Sequence, residues 1–248
     1  VSDDKSGAMA GVLDTFDDVY AKSPEGKMDG PGGMEERPAE APLPDAASVK
    51  VGRDTIETMR RLYEIIDKKS EGGEKAKTVY PRGDFAQRLS RIAQVIKADA
   101  GLEIACADVQ GWDLHINQGG AVGQFQRLSQ SVAGGIAAFA EDLGERWADV
   151  CVVVMTEFGR TVFENGNFGT DHGHGSSMLV AGGQVAGGKV FGKWSSLDQK
   201  KLYEGRDVVV TTDFRAVFDD ILTSFGGAEL SKDFFPKYDR AKSMGLFK

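Results

Sequence analysis

The stretch from Val150 to Gly175 constrains this chain more than any other. It opens with an unbroken apolar run, Val150 to Met155, rich in β-branched residues. Such a run suits a strand buried on both faces of a parallel sheet. It stops at Thr156-Glu157-Phe158-Gly159-Arg160, where charge and glycine arrive together. In open α/β sheets, ligands bind just beyond the carboxyl ends of strands, so Glu157 and Arg160 stand where a site is expected. The following loop, Glu164 to Gly169, is rich in turn formers and leads into Asp171-His172-Gly173-His174-Gly175.

The chain has 3 histidines, His115, His172 and His174. Each has an aspartate one to three residues before it: Asp113 precedes His115, and Asp171 precedes the other two. Carboxylate oxygens and imidazole nitrogens are standard ligands of zinc and related cations. Glycines between them let neighbouring side chains converge. A single loop histidine usually satisfies backbone groups. Three beside aspartates at strand ends favour a metal or anion site.

Composition sets outer limits. A length of 248 residues with 41% hydrophobic content suffices for one sizeable core. The formal net charge of −8 argues against a general nucleic-acid binder, which would show a basic face. No apolar run approaches the roughly 18–20 residues of a membrane span. Cys106 and Cys151 lie in apolar runs and read as small buried residues; a disulfide between them would need neighbouring strands.

Residues 1–50 read as an irregular N-terminal segment, with a short helix within 1–20 and proline, glycine and acidic residues from 21 onward. Residues 51–248 read as a single α/β domain. Helices are expected over about 52–69, 84–98 and 123–143, each from apolar residues at i, i+3, i+4 spacing. Strands are expected over 102–109, 150–155 and 177–181, with an edge hairpin near 189–194 and an extended segment near 207–211. Thr212-Asp213 is expected to cap a helix that stops at Gly226-Gly227. Helices alternating with apolar strands predict a layered α/β fold with a mainly parallel sheet.

Five segments then acquire meaning together: Gly111-Trp-Asp-Leu-His115, Thr156-Glu-Phe-Gly-Arg-Thr161, Asp171-His-Gly-His-Gly175, Gly187-Gly188 with Val190-Phe-Gly192, and Thr212-Asp-Phe-Arg215. Over roughly residues 80–240, the chain resembles the bacterial family called domain of unknown function 1501. Those proteins are described as sulfatase-like and similar to the alkaline phosphatase superfamily. The resemblance implies a three-layer α/β/α sandwich, export to the periplasm or outside the cell, and a divalent metal held by Asp and His at strand ends. Zinc is the first expectation, with manganese or calcium as alternatives. Asp113 and His115 resemble one ligand pair, and His172 or His174 resembles a late ligand histidine. Glu157 stands where the superfamily often has Asp-His. The early segment that supplies a ligand and a nucleophile in that superfamily has no counterpart in residues 1–50, so the chain reads as the later part of a longer protein.

The resulting expectation is a metal-dependent hydrolase of phosphate or sulfate esters. Its metal ligands would be Asp113, His115, Asp171, His172 and His174. Glu157 and Arg160 would have catalytic places, with the Arg160 fork suited to an anionic group. Thr156 and Thr161 are nucleophile candidates by location alone. Its partners would be a small anionic ester and the missing early segment, with no nucleic acid and no membrane span. Structural roles stay open beside these: Glu157 and Arg160 as an ion pair, Asp113 as a turn cap, His172 as a loop anchor. The alternative function is a non-catalytic exported binding or assembly protein that retains the fold.

Overall fold

The computed structural model describes residues 46–71, 78–240 and 242–248. The expected helix within 1–20 and the proline-rich stretch up to residue 45 lie outside the described residues. The described residues fall into two compact units, one of residues 46–71 with 98–100, the other of residues 78–97 with 101–240 and 242–248.

In the first unit, helix α1 spans Ala46–Glu71. Lys50 and Asp54 pair across one turn at 2.6 Å, the i, i+4 spacing that supports an exposed helix by a few tenths of a kcal/mol. Ile56 is buried.

The second unit is built on two helices, α2 (Asp84–Lys97) and α3 (Gln124–Leu143). Their apolar stripes meet in a cluster of Leu89, Ala93, Phe139 and Leu143, with Phe85, Ile92, Ile96 and Ile136 around it. Gly135 lets them approach: a Cβ there would press into the Phe85 ring. Trp147, from the 3-10 turn Gly144–Asp149 after α3, meets Phe139 edge to face at a 6.2 Å centroid distance. Lys97 Nζ binds the Asp142 carboxylate at 2.6 Å, and Tyr80 OH donates to the same carboxylate at 3.1 Å. Burial first, then the charge of Asp142, pushes the Tyr80 phenol up.

Strand β1 is Cys151–Val154 and strand β2 is Leu179–Gly182. They pair antiparallel, from Cys151 opposite Gly182 to Val154 opposite Leu179. This corrects the expected fold class. Among the described residues, the only sheet is this two-stranded one, not the mainly parallel sheet of an α/β/α sandwich. A parallel partner needs a crossover, usually helical. Residues 155–178 instead form turns and extended chain with no helix, so the chain returns beside β1 in the opposite sense. The sulfatase-like and alkaline-phosphatase-like architecture implied by the resemblance is therefore not the one this chain builds. The expected strand over 102–109 forms no ladder, and Ile104 is 81% exposed. An apolar run does not by itself supply a hydrogen-bonding neighbour. No strand forms over 189–194 or 207–211, apart from an isolated bridge between Tyr203 and Asp207. The cysteines are unpaired; Cys106 is exposed rather than buried, and Cys151 is half-buried.

Helix α4 (Phe214–Asp220) begins where expected: the Asp213 carboxylate accepts from the Arg215 N–H at 2.9 Å. The helix widens into a π-turn over Ile221–Phe225 before Gly226. Buried Asp220 then holds the C-terminal tail, accepting from the Leu246 N–H at 3.0 Å and the Ser224 hydroxyl at 2.9 Å. Asp219 pairs with Arg240 at 2.7 Å. The tail finishes against the chain after β2, where Ala186 N–H donates to Leu246 O at 2.7 Å. Among the described residues, no helix is long and apolar enough to cross a membrane.

Candidate metal centre

Three irregular segments build the centre: 111–118, 156–162 and 164–175. In the first, Leu114 N–H donates to Trp112 O at 2.8 Å and His115 N–H to Asp113 O at 3.2 Å, two successive γ-turns. Leu114 turns inward and is buried, while Asp113 and His115 both face the cluster. An isolated antiparallel bridge between Arg160 and His172 fastens the second segment to the third. Thr161 N–H to Asp171 O at 3.0 Å and Gly173 N–H to Gly159 O at 2.8 Å extend that bridge. Thr170 N–H to Leu114 O at 3.1 Å ties the third segment to the first. Glycine is required where these backbones touch. A Cβ at Gly169 would strike the His115 carbonyl, and one at Gly173 would strike the Arg160 backbone.

The Asp113 carboxylate is the focus. Its Oδ1 lies 2.9 Å from His172 Nε2, 3.0 Å from His115 Nε2 and 2.5 Å from an Arg160 guanidinium nitrogen. Asp113, His115 and His172 each offer one ligand atom, and these lie within 4.8 Å of one another. The side chains are open to solvent, at 69% exposure for Asp113, 53% for His172 and 38% for His115. The His172 hydrogen bond, followed by that of Arg160, lowers the Asp113 pKa to about 2.

His115 has carboxylate oxygens at both ring nitrogens: Asp171 Oδ1 is 2.9 Å from Nδ1, and Asp113 Oδ1 is 3.0 Å from Nε2. A neutral imidazole carries one N–H. Given to Asp171, that proton leaves the Nε2 lone pair facing the Asp113 oxygen. A cation between them turns repulsion into coordination, and a carboxylate on the far nitrogen is the usual support for a metal-bound histidine.

The donor set fits a divalent cation. Two imidazole nitrogens and a carboxylate are common zinc ligands, with bonds of about 2.0–2.2 Å. Tetrahedral ligands at that range lie about 3.3–3.5 Å apart. The contacts of 2.9 and 3.0 Å at Asp113 would widen by a few tenths of an ångström, while the two histidine nitrogens, within 4.8 Å of each other, would draw together.

The other sequence-derived site residues take different places. Asp171 supports His115 through Nδ1 and is not in the three-residue ligand cluster. Its carboxyl is held below the ordinary range by Asn165 first and His115 second. His174 stands apart from the cluster, its ring stacked on Tyr203 at 4.4 Å. Arg160 spends its fork on the Thr170 carbonyl at 2.8 Å, the Trp112 carbonyl at 3.0 Å and Asp113. Glu157 accepts from the Thr156 hydroxyl at 3.1 Å. Its own backbone N–H first, then Thr156, hold its carboxyl below the ordinary range. Phe158 packs against the His172 ring at 4.4 Å. The residue that sequence reading passed over is Asn165, noted there only as a turn former. Its Nδ2 reaches both Asp171 and the His115 carbonyl.

The five segments singled out in the sequence all fall within one family match. The chain belongs to the DUF1501 family of proteins of unknown function. The match covers residues 50–225 of the chain and so includes every residue of the centre. No curated protein and no solved structure matches this DUF1501 chain.

Proposed function

We propose that this DUF1501 chain holds a divalent cation, zinc by its donor chemistry, and that the centre serves hydrolysis of phosphate or sulfate esters. The observation carrying the proposal is His115 placed between two carboxylates with His172 beside it. His115 and His172 would bind through Nε2 and Asp113 through its carboxylate. Three protein ligands on an open surface leave a coordination position for substrate, the arrangement of hydrolytic rather than closed structural sites. A cation bound there supplies Lewis acidity toward an ester oxygen.

The chain's own groups then have separate tasks. Arg160 orients Asp113 and anchors it to the Thr170 carbonyl. Asp171, 2.9 Å from His115 Nδ1, would hold the ring proton there when Nε2 binds the cation. Glu157 adds negative charge at the rim. Its depressed titration suits it to attracting a cation rather than to accepting a proton.

Elemental mass spectrometry after dialysis against zinc, without chelator, tests the metal. Near-integral zinc is expected in the wild type and in His174→Ala, with loss in His172→Ala. A wild type that takes up no zinc, manganese or calcium overturns the proposal. A panel of phosphate and sulfate monoesters and diesters tests the reaction. Stoichiometric metal without turnover on the panel would favour the binding-protein alternative.

A further inference from the structure

We infer that Asn165 is a positioning residue for the metal centre: its one carboxamide fixes His115 at the backbone and, through Asp171, at the ring. The inference rests on the metal reading above.

The side-chain nitrogen Nδ2 donates to the His115 carbonyl and to Asp171 Oδ1, both at 3.0 Å. The side-chain oxygen accepts from the Asn167 N–H at 2.9 Å and the Gly169 N–H at 3.1 Å. Two donor hydrogens and two lone pairs are thus all used. The amide orientation follows from the partners, because the reverse would set oxygen against a carbonyl and a carboxylate and nitrogen against two N–H groups.

These four bonds do two jobs. The oxygen closes the tight turn over 165–169, as asparagine does in many loops. The nitrogen reaches out of that turn to a different segment. It holds the Asp171 carboxylate that lies 2.9 Å from His115 Nδ1, while Nε2 lies 3.0 Å from Asp113. Aspartate could keep the turn bonds but would oppose Asp171 with a second carboxylate. Alanine would lose both functions. A turn alone needs only the oxygen, so the nitrogen's two partners mark the added role.

The test uses the full chain with zinc alone as the probe. Affinity is measured by competition with a chromophoric chelator. Nitrogen-15 imidazole NMR reads the ring state directly, helped by a total of 3 histidines. Asn165→Ala is expected to weaken zinc binding about 10–100-fold, the usual loss for an outer partner of a metal ligand. In the metal-free protein, the His115 ring-nitrogen spectrum is expected to change in Asn165→Ala. Asn167→Ala, in the same loop, is expected to bind as the wild type does. Should Asn165→Ala fail to fold, Asn165→Asp preserves the turn acceptor. Its extra charge alone would favour a cation, so weakened binding with an altered His115 spectrum identifies lost positioning.

Wild-type affinity and an unchanged His115 spectrum in a folded Asn165 variant overturn the inference. If that occurs while His172→Ala loses zinc, the metal reading survives and this inference alone falls. A wild type without zinc affinity overturns both.

Discussion

The α2–α3 helix pair and the candidate metal centre lie in one compact unit but are held by different physics. The helix pair rests on burial: Leu89, Ala93, Phe139 and Leu143 are nearly sealed, and their attraction has little directional requirement. The centre rests on a few directional bonds among exposed groups. Arg160, Asn165 and Asp171 hold ligands that solvent can reach. The helix pair should therefore set whether the unit folds, and the polar contacts should set the geometry of the site. Variants can break or sharpen that division.

The largest effect is expected from Phe139→Ala. Removing this buried ring, and its contact with Trp147, should cost about 3–5 kcal/mol. A urea titration reads the loss as a lower midpoint with an unchanged slope. Zinc affinity of the remaining folded fraction should not change. A parallel fall in that affinity would show that core and centre are one cooperative object.

Next comes Asp220→Ala, which leaves the buried Leu246 N–H and the Ser224 hydroxyl without their carboxylate. The expected cost is about 1–3 kcal/mol, again read by urea. This contact also has a pH signature. Burial pushes the Asp220 carboxyl up, but hydrogen bonds from Ser243, the Leu246 and Met244 backbones and Ser224 outweigh it, leaving the group below its ordinary value. A carboxyl depressed in the folded state stabilises fully above its unfolded value of about 3.9 and loses that contribution as pH falls through the folded value. Below about pH 4, the wild type should lose stability more steeply than Asp220→Ala. Equal slopes would place the tail's hold elsewhere.

Arg160→Lys tests the directional side of the comparison. An ammonium keeps the charge beside Asp113 but cannot reproduce the planar fork to the Thr170 and Trp112 carbonyls. Zinc affinity should fall about tenfold, toward the lower end of supporting-partner effects. An unchanged affinity would make charge alone sufficient.

The smallest effect is expected at Phe168, an exposed bulky residue with φ of 59°. Glycine removes the left-handed strain of about 1–2 kcal/mol but adds about 0.5–1 kcal/mol of unfolded-chain freedom. Phe168→Gly should change stability by between about 0 and +1.5 kcal/mol in thermal or urea unfolding, with zinc affinity unchanged. A large destabilisation would mean that the ring makes a contact the loop depends on.

Local pattern was enough for the helices. The i, i+3, i+4 apolar spacing placed α2 and α3, and Asp213 marked the start of α4, because these signals act within a turn or two of chain. It also grouped Asp113, His115, Asp171, His172 and His174 by residue type, of which the fold brings Asp113, His115 and His172 into one cluster. Strand partnership lay beyond it. Val150 to Met155 carries the same apolar signal whether its neighbour runs parallel or antiparallel, and Leu102 to Val109 carries it with no paired strand. Pairing is a contact between segments distant in sequence, decided here by the path of residues 155–178. The division of labour among polar residues was decided the same way. Asp171 supports His115, His174 turns to Tyr203, and Asn165 reaches across to both Asp171 and the His115 carbonyl. Residue chemistry by itself determined which donors and acceptors this protein has. Only the tertiary fold, bringing residues about 50 positions apart within hydrogen-bond range, decided which of them meet.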